Sequence, residues 1–395
     1  MKVLIIVVPF LIAFYLGRMF LPFIYLVSFK KRLFDPLNKR KSHGKLTPRL
    51  GGAAFAPIQC CLMTIAIVFF YKYDFLNDLH MNTNEILPMF LLLSTGLVIM
   101  FIVGIADDLI GLDYKIKFGA QLIAAMLFPL SGLWINDMYG VLFITYLPAW
   151  VGMPLTVFAV ILIINAVNLI DGVDGLCSGL IMVSSLILGA LFAFEGAWLH
   201  AMFAFITTGF LIPFFYFNVY GSRKRKRRIF MGDTGSLTLG YSIAFLAISF
   251  AMNNHDIKPF FEGAIVTAFT TLLVPVLDVA RVMWVRFKNG RSVFEADRNH
   301  IHHRFLDLGF SHRVTMVNII LIALFFCVFN TLSVQFISNN IVLALDLVLW
   351  VMFNYFLTRA EKSRKAALSE ASLALRQAEP KMSLKQKSQI TPSEA

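Results

Sequence analysis

Apolar runs of about 20 residues recur along the whole chain, and they dictate what it can fold into. A hydrocarbon core ~30 Å thick is crossed by a helix of ~20 residues. Inside it every backbone N–H and C=O must find its partner within the segment, so such runs become helices. The runs lie near 3–27, 51–71, 87–106, 118–135, 150–169, 175–194, 199–217, 236–252, 261–285, 313–334 and 341–359. They predict an all-α polytopic membrane protein with about eleven transmembrane helices. At 58% hydrophobic and 15% charged, the 395 residues do not have the balance of a soluble domain. The first run is too long for a signal-peptide core and has only Lys2 ahead of it, so it is expected to be retained. Cys60, Cys61, Cys177 and Cys327 all fall within apolar runs and read as small buried hydrophobes, with no zinc-type spacing.

An odd number of spans puts the termini on opposite sides, and the basic residues choose which. One side takes segment 28–50 with eight Lys/Arg, the 107–117 loop with two, the run Arg223–Arg228, segment 281–313 with seven, and a tail from Arg359 with eight. The other side has Lys2, Lys72 and Lys258. The N-terminus is therefore expected outside and the C-terminus in the cytoplasm. This asymmetry accounts for most of the +12 net charge without any nucleic acid. Residues 1–359 read as the membrane domain. Residues 360–395 read as a basic cytoplasmic tail that starts helical and ends disordered.

The same count puts every polar cluster on the cytoplasmic side. Asp107-Asp108 closes one apolar run, where the helix dipole disfavours acids, so a functional reading is favoured. Two carboxylates at a fraying helix end can reach one Mg²⁺, which binds through one or two carboxylates and substrate phosphates. Lys115 and Lys117 nearby read equally as phosphate contacts or as topology markers. Asn165-Ala166-Val167-Asn168-Leu169-Ile170-Asp171-Gly172-Val173-Asp174-Gly175 leaves another run, with Asn168, Asp171 and Asp174 spaced three apart. Acids at the mouth of a membrane helix usually mark a site. Gly232-Asp233-Thr234-Gly235-Ser236 opens a further helix. Its free N–H groups can cradle phosphate or simply be capped, and Asp233 is favoured as a metal ligand. His300-Ile301-His302-His303 lies among Arg291, Arg298 and Arg304. No Cys accompanies it, so hydrogen bonding to diphosphate is favoured over a transition metal. Arg40, Lys41 and His43 stand before a Gly51-Gly52 helix start, where a lipid phosphate would lie. Asp278 reads as the ion-pair partner of Arg281.

In this order the motifs resemble the polyprenyl-phosphate N-acetylhexosamine-1-phosphate transferases over roughly residues 1–360. The motifs are Arg40 through Gly52, Asp107-Asp108, Asn165 through Leu176, Phe230 through Ser236, and His300 through Arg304. The run Asp297 through His303 is similar to the histidine motif of the undecaprenyl-phosphate GlcNAc-1-phosphate transferase branch. In one departure, no basic residue closely follows Asp107-Asp108.

The resemblance implies transfer of N-acetylhexosamine 1-phosphate, GlcNAc-1-phosphate first, from a UDP-sugar to undecaprenyl phosphate. The setting would be the cytoplasmic face of a bacterial inner membrane, and the product would start a lipid-linked surface glycan. It implies Mg²⁺, with Mn²⁺ as a substitute, held by Asp233 and Asn168. Asp107 or Asp108 would position the attacking phosphate or bind metal. Asp171 would support the metal, and Asp174 would meet the uracil. Asn165, Gly232, His300, His302, His303, Arg298 and Arg304 would hold the diphosphate and sugar. Lys117 is a candidate phosphate contact, and Arg40, Lys41 and His43 would hold the lipid phosphate. A phosphate monoester has its second pKa near about 6, so a general base is not demanded. The pentapeptide branch, another UDP-HexNAc donor, a UDP-sugar sensor and a transporter remain rival readings. A homodimer stays open.

Overall fold

The computed structural model describes residues 2–31, 50–74, 82–221, 228–292 and 299–378, the side chains only as far as residue 372. Thirteen helices lie among the described residues: α1 (Lys2–Lys30), α2 (Phe55–Lys72), α3 (Thr83–Ile110), α4 (Tyr114–Leu130), α5 (Ala149–Ile170), α6 (Leu176–Phe194), α7 (Trp198–Val219), α8 (Gly232–Ala251), α9 (Ala264–Thr270), α10 (Leu273–Lys288), α11 (Ile301–Asp307), α12 (His312–Ser333) and α13 (Asn339–Ala378). No strand is present among these residues. Nine helices are long and apolar enough to cross a membrane, or ten if the bent pair α9–α10 counts as one. The expected eleven is not reached on length and composition, because α4 has only 17 residues. All eleven expected runs are nevertheless helical for most of their length, and α4 still travels from one end of the bundle to the other.

The break in the run near 261–285 has a local cause. Pro275 has no N–H to give the carbonyl of Thr271, four residues back. The chain bends by 75° there. Ser184 Oγ donates to the freed Thr271 carbonyl at 2.7 Å, so the break leaves it satisfied inside the bundle.

α8 is the central post. Every residue from Thr234 to Ala251 is buried, and α3, α5, α6 and α9 surround it. Small residues allow the close approach, as expected where lipid offers no hydrophobic drive for helix association. A Cβ on Gly104 of α3 would lie 2.4 Å from Thr234 Cα, and one on Gly240 would lie 2.8 Å from Ile164 Cα. Some polar side chains inside the bundle pair across helices: Gln59 Nε2 donates to Thr207 Oγ1 and Ser242 Oγ, both at 2.9 Å. By contrast α1 buries a narrow stripe (Ile5, Ala13, Gly17, Leu21, Ser28) against α7 and turns its other apolar side chains outward.

The two ends of the bundle differ. At one end Asn136 and Asn253 exchange two 2.8 Å hydrogen bonds, while Asn339 Nδ2 donates to the carbonyls of Tyr139 and Glu262. At the other end the C-termini of α3 and α5 meet the N-terminus of α8.

Candidate active site

Three helix ends build the centre. α3 stops after Asp107-Asp108 because Gly111, at φ +69°, turns the chain and returns its N–H to the Asp107 carbonyl at 2.9 Å. The following Asp113 caps α4 through Lys115 N–H at 2.9 Å, which sets the direction of the next turn. Lys117 then reaches back, and its Nζ lies 2.9 Å from Asp107 Oδ2. Leu112 N–H donates to the other oxygen at 2.7 Å.

Adjacent in sequence, Asp107 and Asp108 have different partners. Asp108 accepts from the backbone N–H of Asp233 and of Thr234, at 2.9 and 3.0 Å, and from Thr234 Oγ1 at 2.6 Å. It is an N-cap for α8 supplied by another helix, and its charge meets the positive end of the helix dipole. Those two amides therefore hold a protein carboxylate and are not open to a phosphate. Asp107 instead lies beside the Asp233 carboxylate, close enough for each to act on the other's charge. Two carboxylates in such contact cannot both stay charged without a proton or a cation between them. Asn168, from the end of α5, gives its Nδ2 to Asp233 Oδ1 at 2.6 Å and to Ser236 Oγ at 2.8 Å.

That pair is the test of the expected Mg²⁺. No group of three His, Cys, Asp or Glu residues able to hold a metal lies among the described residues. The carboxylates of Asp107 and Asp233 are nonetheless hard oxygens that suit Mg²⁺ when substrate phosphates complete its shell, and Asn168 holds Asp233 in place through its Nδ2. The residues fit.

A second group lies beside the loop after α5. A Cβ on Gly172 would fall 2.1 Å from His302 Nε2, so the imidazole rests on the glycine backbone. His300, His302 and His303 form a run of rings, the first pair parallel with centroids 6.0 Å apart and the second pair 4.2 Å apart. Burial, and then the neighbouring His303 and His300, pull His302 down to about 3, so its ring is neutral at pH 7. Asp278 of α10 holds this segment. His300 Nδ1 lies 2.9 Å from its Oδ2, Ile301 N–H donates to both oxygens at 3.1 and 3.2 Å, and Arg281 donates at 2.7 Å.

The sequence matches glycosyl transferase family 4 over residues 89–251, the stretch from within α3 to the end of α8. It is 30% identical over 341 residues to the undecaprenyl-phosphate alpha-N-acetylglucosaminyl 1-phosphate transferase of Yersinia pestis, covering 85% of this chain and 86% of the relative. The enzyme of that name from Escherichia coli (strain K12) is 30% identical over 358 residues, 88% of this chain and 90% of the relative. The chain belongs to glycosyl transferase family 4.

In this family 4 protein, Asp107, Asp108, Asn168 and Asp233 come together, with Lys117 beside them. Asp174 is ion-paired with Arg228, which the sequence had grouped with topology markers. Asp171 closes α5, and Gly232 opens α8 at φ +74°. Asn165 pairs with Gln121 of α4, its Nδ2 giving 2.7 Å to Gln121 Oε1. Arg304 is not brought to this centre. Its guanidinium is held by Glu361, Asn354 and Thr358 of α13, at 2.7–3.1 Å. Arg40, Lys41, His43 and Arg298 lie outside the described residues. Sequence reasoning did not single out Gln121 or Asn218, and it gave Asp278 only an ion-pair role. Asn218 accepts from Gly175 N–H at 2.6 Å and donates to the Ile229 carbonyl at 2.9 Å, tying the α5–α6 loop to the approach to α8. Nothing in the sequence around Asn218 signals this contact, because its partners lie in two distant loops.

Proposed function

We propose that this chain transfers N-acetylglucosamine 1-phosphate from UDP-GlcNAc to undecaprenyl phosphate and releases UMP. The observation that carries the reading is the Asp107–Asp233 contact, with Asn168 and Lys117 around it, assembled from three separate helix ends. The relatives' names supply the substrate class, and the charge asymmetry of the loops supports a cytoplasmic active site in a bacterial inner membrane. A phosphate oxygen of the lipid attacks the sugar-linked phosphorus. The bond from that phosphorus to the bridging oxygen breaks, and UMP leaves with the electron pair.

Asp107, Asp233 and Asn168 would hold Mg²⁺, which supplies charge neutralisation to the diphosphate when bound. Lys117 lies within reach of Asp107 and can turn to a phosphate oxygen. Asp108 keeps the start of α8, and so Asp233, in place. The neutral ring of His302 offers hydrogen bonds rather than charge to the sugar diphosphate, and His300 is oriented beside it by Asp278. Such transfers depend on positioning and electrostatics more than on proton abstraction.

The test is Mg²⁺-dependent UMP release from the purified full-length chain, with undecaprenyl phosphate and a panel of UDP-N-acetylhexosamines. UMP from UDP-GlcNAc alone supports the reading. UMP only from another donor moves the chain to another branch. Binding of UDP-sugar without UMP release, in the presence of lipid and metal, would overturn the transferase reading.

A further inference from the structure

α13 continues past its apolar part to Ala378. Asn354, Thr358, Glu361, Lys365 and Leu368 recur at spacings of four and three and share one face of it. That face looks across a pocket of about 380 Å³ toward α11 and the end of α10. The volume is within the ~300–1,000 Å³ of small-molecule sites. Arg304 clamps the near wall through its bonds to α13. Beyond the clamp the lining is cationic, with Arg281, Arg364 and Lys365 added to Arg304 against two acids, Asp307 and Glu361.

Two of these cations have their charge unpaired, and a third is incompletely satisfied. Arg364 and Lys365 have no carboxylate partner among the described residues. The Nη2 of Arg281 is engaged by Asp278 and the Asn299 carbonyl, but its Nε is buried without an acceptor. A buried donor left unmade is costly, so Arg281 holds its charge beside the pocket without a full set of acceptors.

The surroundings say where that anion comes from. Trp284 and Phe287 follow Arg281 on α10, are 65% and 69% exposed, and pack with centroids 6.1 Å apart. Leu368, on the pocket lining, is 58% exposed. Exposed aromatics beside cations at a helix end mark the membrane–water interface. A cationic pocket at that level, with Val285 and Leu368 in its lining, suits a phosphate whose acyl chains stay in the bilayer.

We infer that this pocket binds the headgroup phosphate of an anionic phospholipid. It lies across α11 from His302, since residues two apart on a helix point about 200° apart. The headgroup bridges α13 to Arg281, which holds Asp278, so occupancy steadies the segment that carries His300 and His302.

The experiment uses the full-length protein in phosphatidylcholine nanodiscs with phosphatidylglycerol added in steps. Thermal unfolding and retained lipid, by native mass spectrometry, are read without substrate, so failure of the transferase reading does not decide the result. Phosphatidylglycerol is expected to stabilise the wild type. The half-saturating fraction is expected to rise about tenfold or more in the double variant Arg364→Ala/Lys365→Ala. Neither side chain is ion-paired among the described residues, and Arg364 rests on the backbone of Gly309, so Lys365→Ala alone is read beside the double variant, with an expected rise of about threefold or more. A further variant, Lys30→Ala/Lys31→Ala, is expected to respond as wild type. Equal responses in all four proteins, or an equal loss in the two double variants, overturn the site. Equal stabilisation by millimolar inorganic phosphate overturns the lipid as occupant.

Discussion

Two helix starts at the same end of the bundle are capped by carboxylates from other helices, and they differ in what the cap leaves over. At α8, Asp108 receives two amides and a hydroxyl of Asp233 and Thr234. At α11, Asp278 receives Ile301 N–H, but also His300 Nδ1 and Arg281. The first cap fixes a backbone and leaves its sequence neighbour, Asp107, to Lys117, Leu112 and Asp233. The second fixes a backbone and a ring together. With Nδ1 facing a carboxylate that can only accept, His300 donates from that nitrogen and its ring orientation is set. A buried acid can thus be structural for one helix and orient a side chain at another.

The largest expected effect sharpens the difference between Asp108 and its neighbour. Asp233→Asn or Asp107→Asn should lower UMP release at least about tenfold while helicity by circular dichroism stays at the wild-type level. Normal turnover in either variant would remove the carboxylate pair from the site. Next comes Asp278→Ala. It strands several donors, so a loss of about 1–3 kcal/mol in stability is expected, with a fall in kcat that Asp278→Asn restores in part. If stability falls and kcat per folded molecule does not, Asp278 is a cap like Asp108 and nothing more. Asp108→Ala should cost about 1–2 kcal/mol as a lost cap, with turnover falling less than for Asp107→Asn. A larger loss of turnover than stability explains would put Asp108 with the reacting groups.

The smallest effect concerns pH. His302 has its pKa pulled down to about 3 by burial, whereas an unfolded His titrates near ~6.5. As pH falls below ~6.5 the unfolded chain takes up a proton that the folded ring refuses. Stability from this group is thus full above ~6.5 and declines toward 3. Between pH 7 and 5 the unfolding midpoint of His302→Gln should fall less than that of wild type, by up to about 1–2 kcal/mol in equivalent stability. Parallel pH profiles would show that the ring is not buried in solution as it is here.

The sequence by itself determined that this chain is a bundle of membrane helices, because apolar length and the cost of unpaired backbone in lipid leave few alternatives. It also singled out Asp107, Asp108, Asn168 and Asp233, which the fold brings together, because polar groups beside apolar runs are rare. It did not determine how the two aspartates divide their work. One residue apart, they point to different sides of a helix end, and only the arrival of α8 decides which becomes a cap. The break in the 261–285 run was signalled by Pro275, but its 75° bend depends on Ser184 taking the freed carbonyl. Arg304 reads as a phosphate ligand beside three histidines. The fold turns it to α13, more than fifty residues later, where Glu361 completes a fork that no local spacing foretells. Helix identity is local and follows from composition. Pairing between helix ends is non-local, and it is fixed only where glycines such as Gly104 let the helices close.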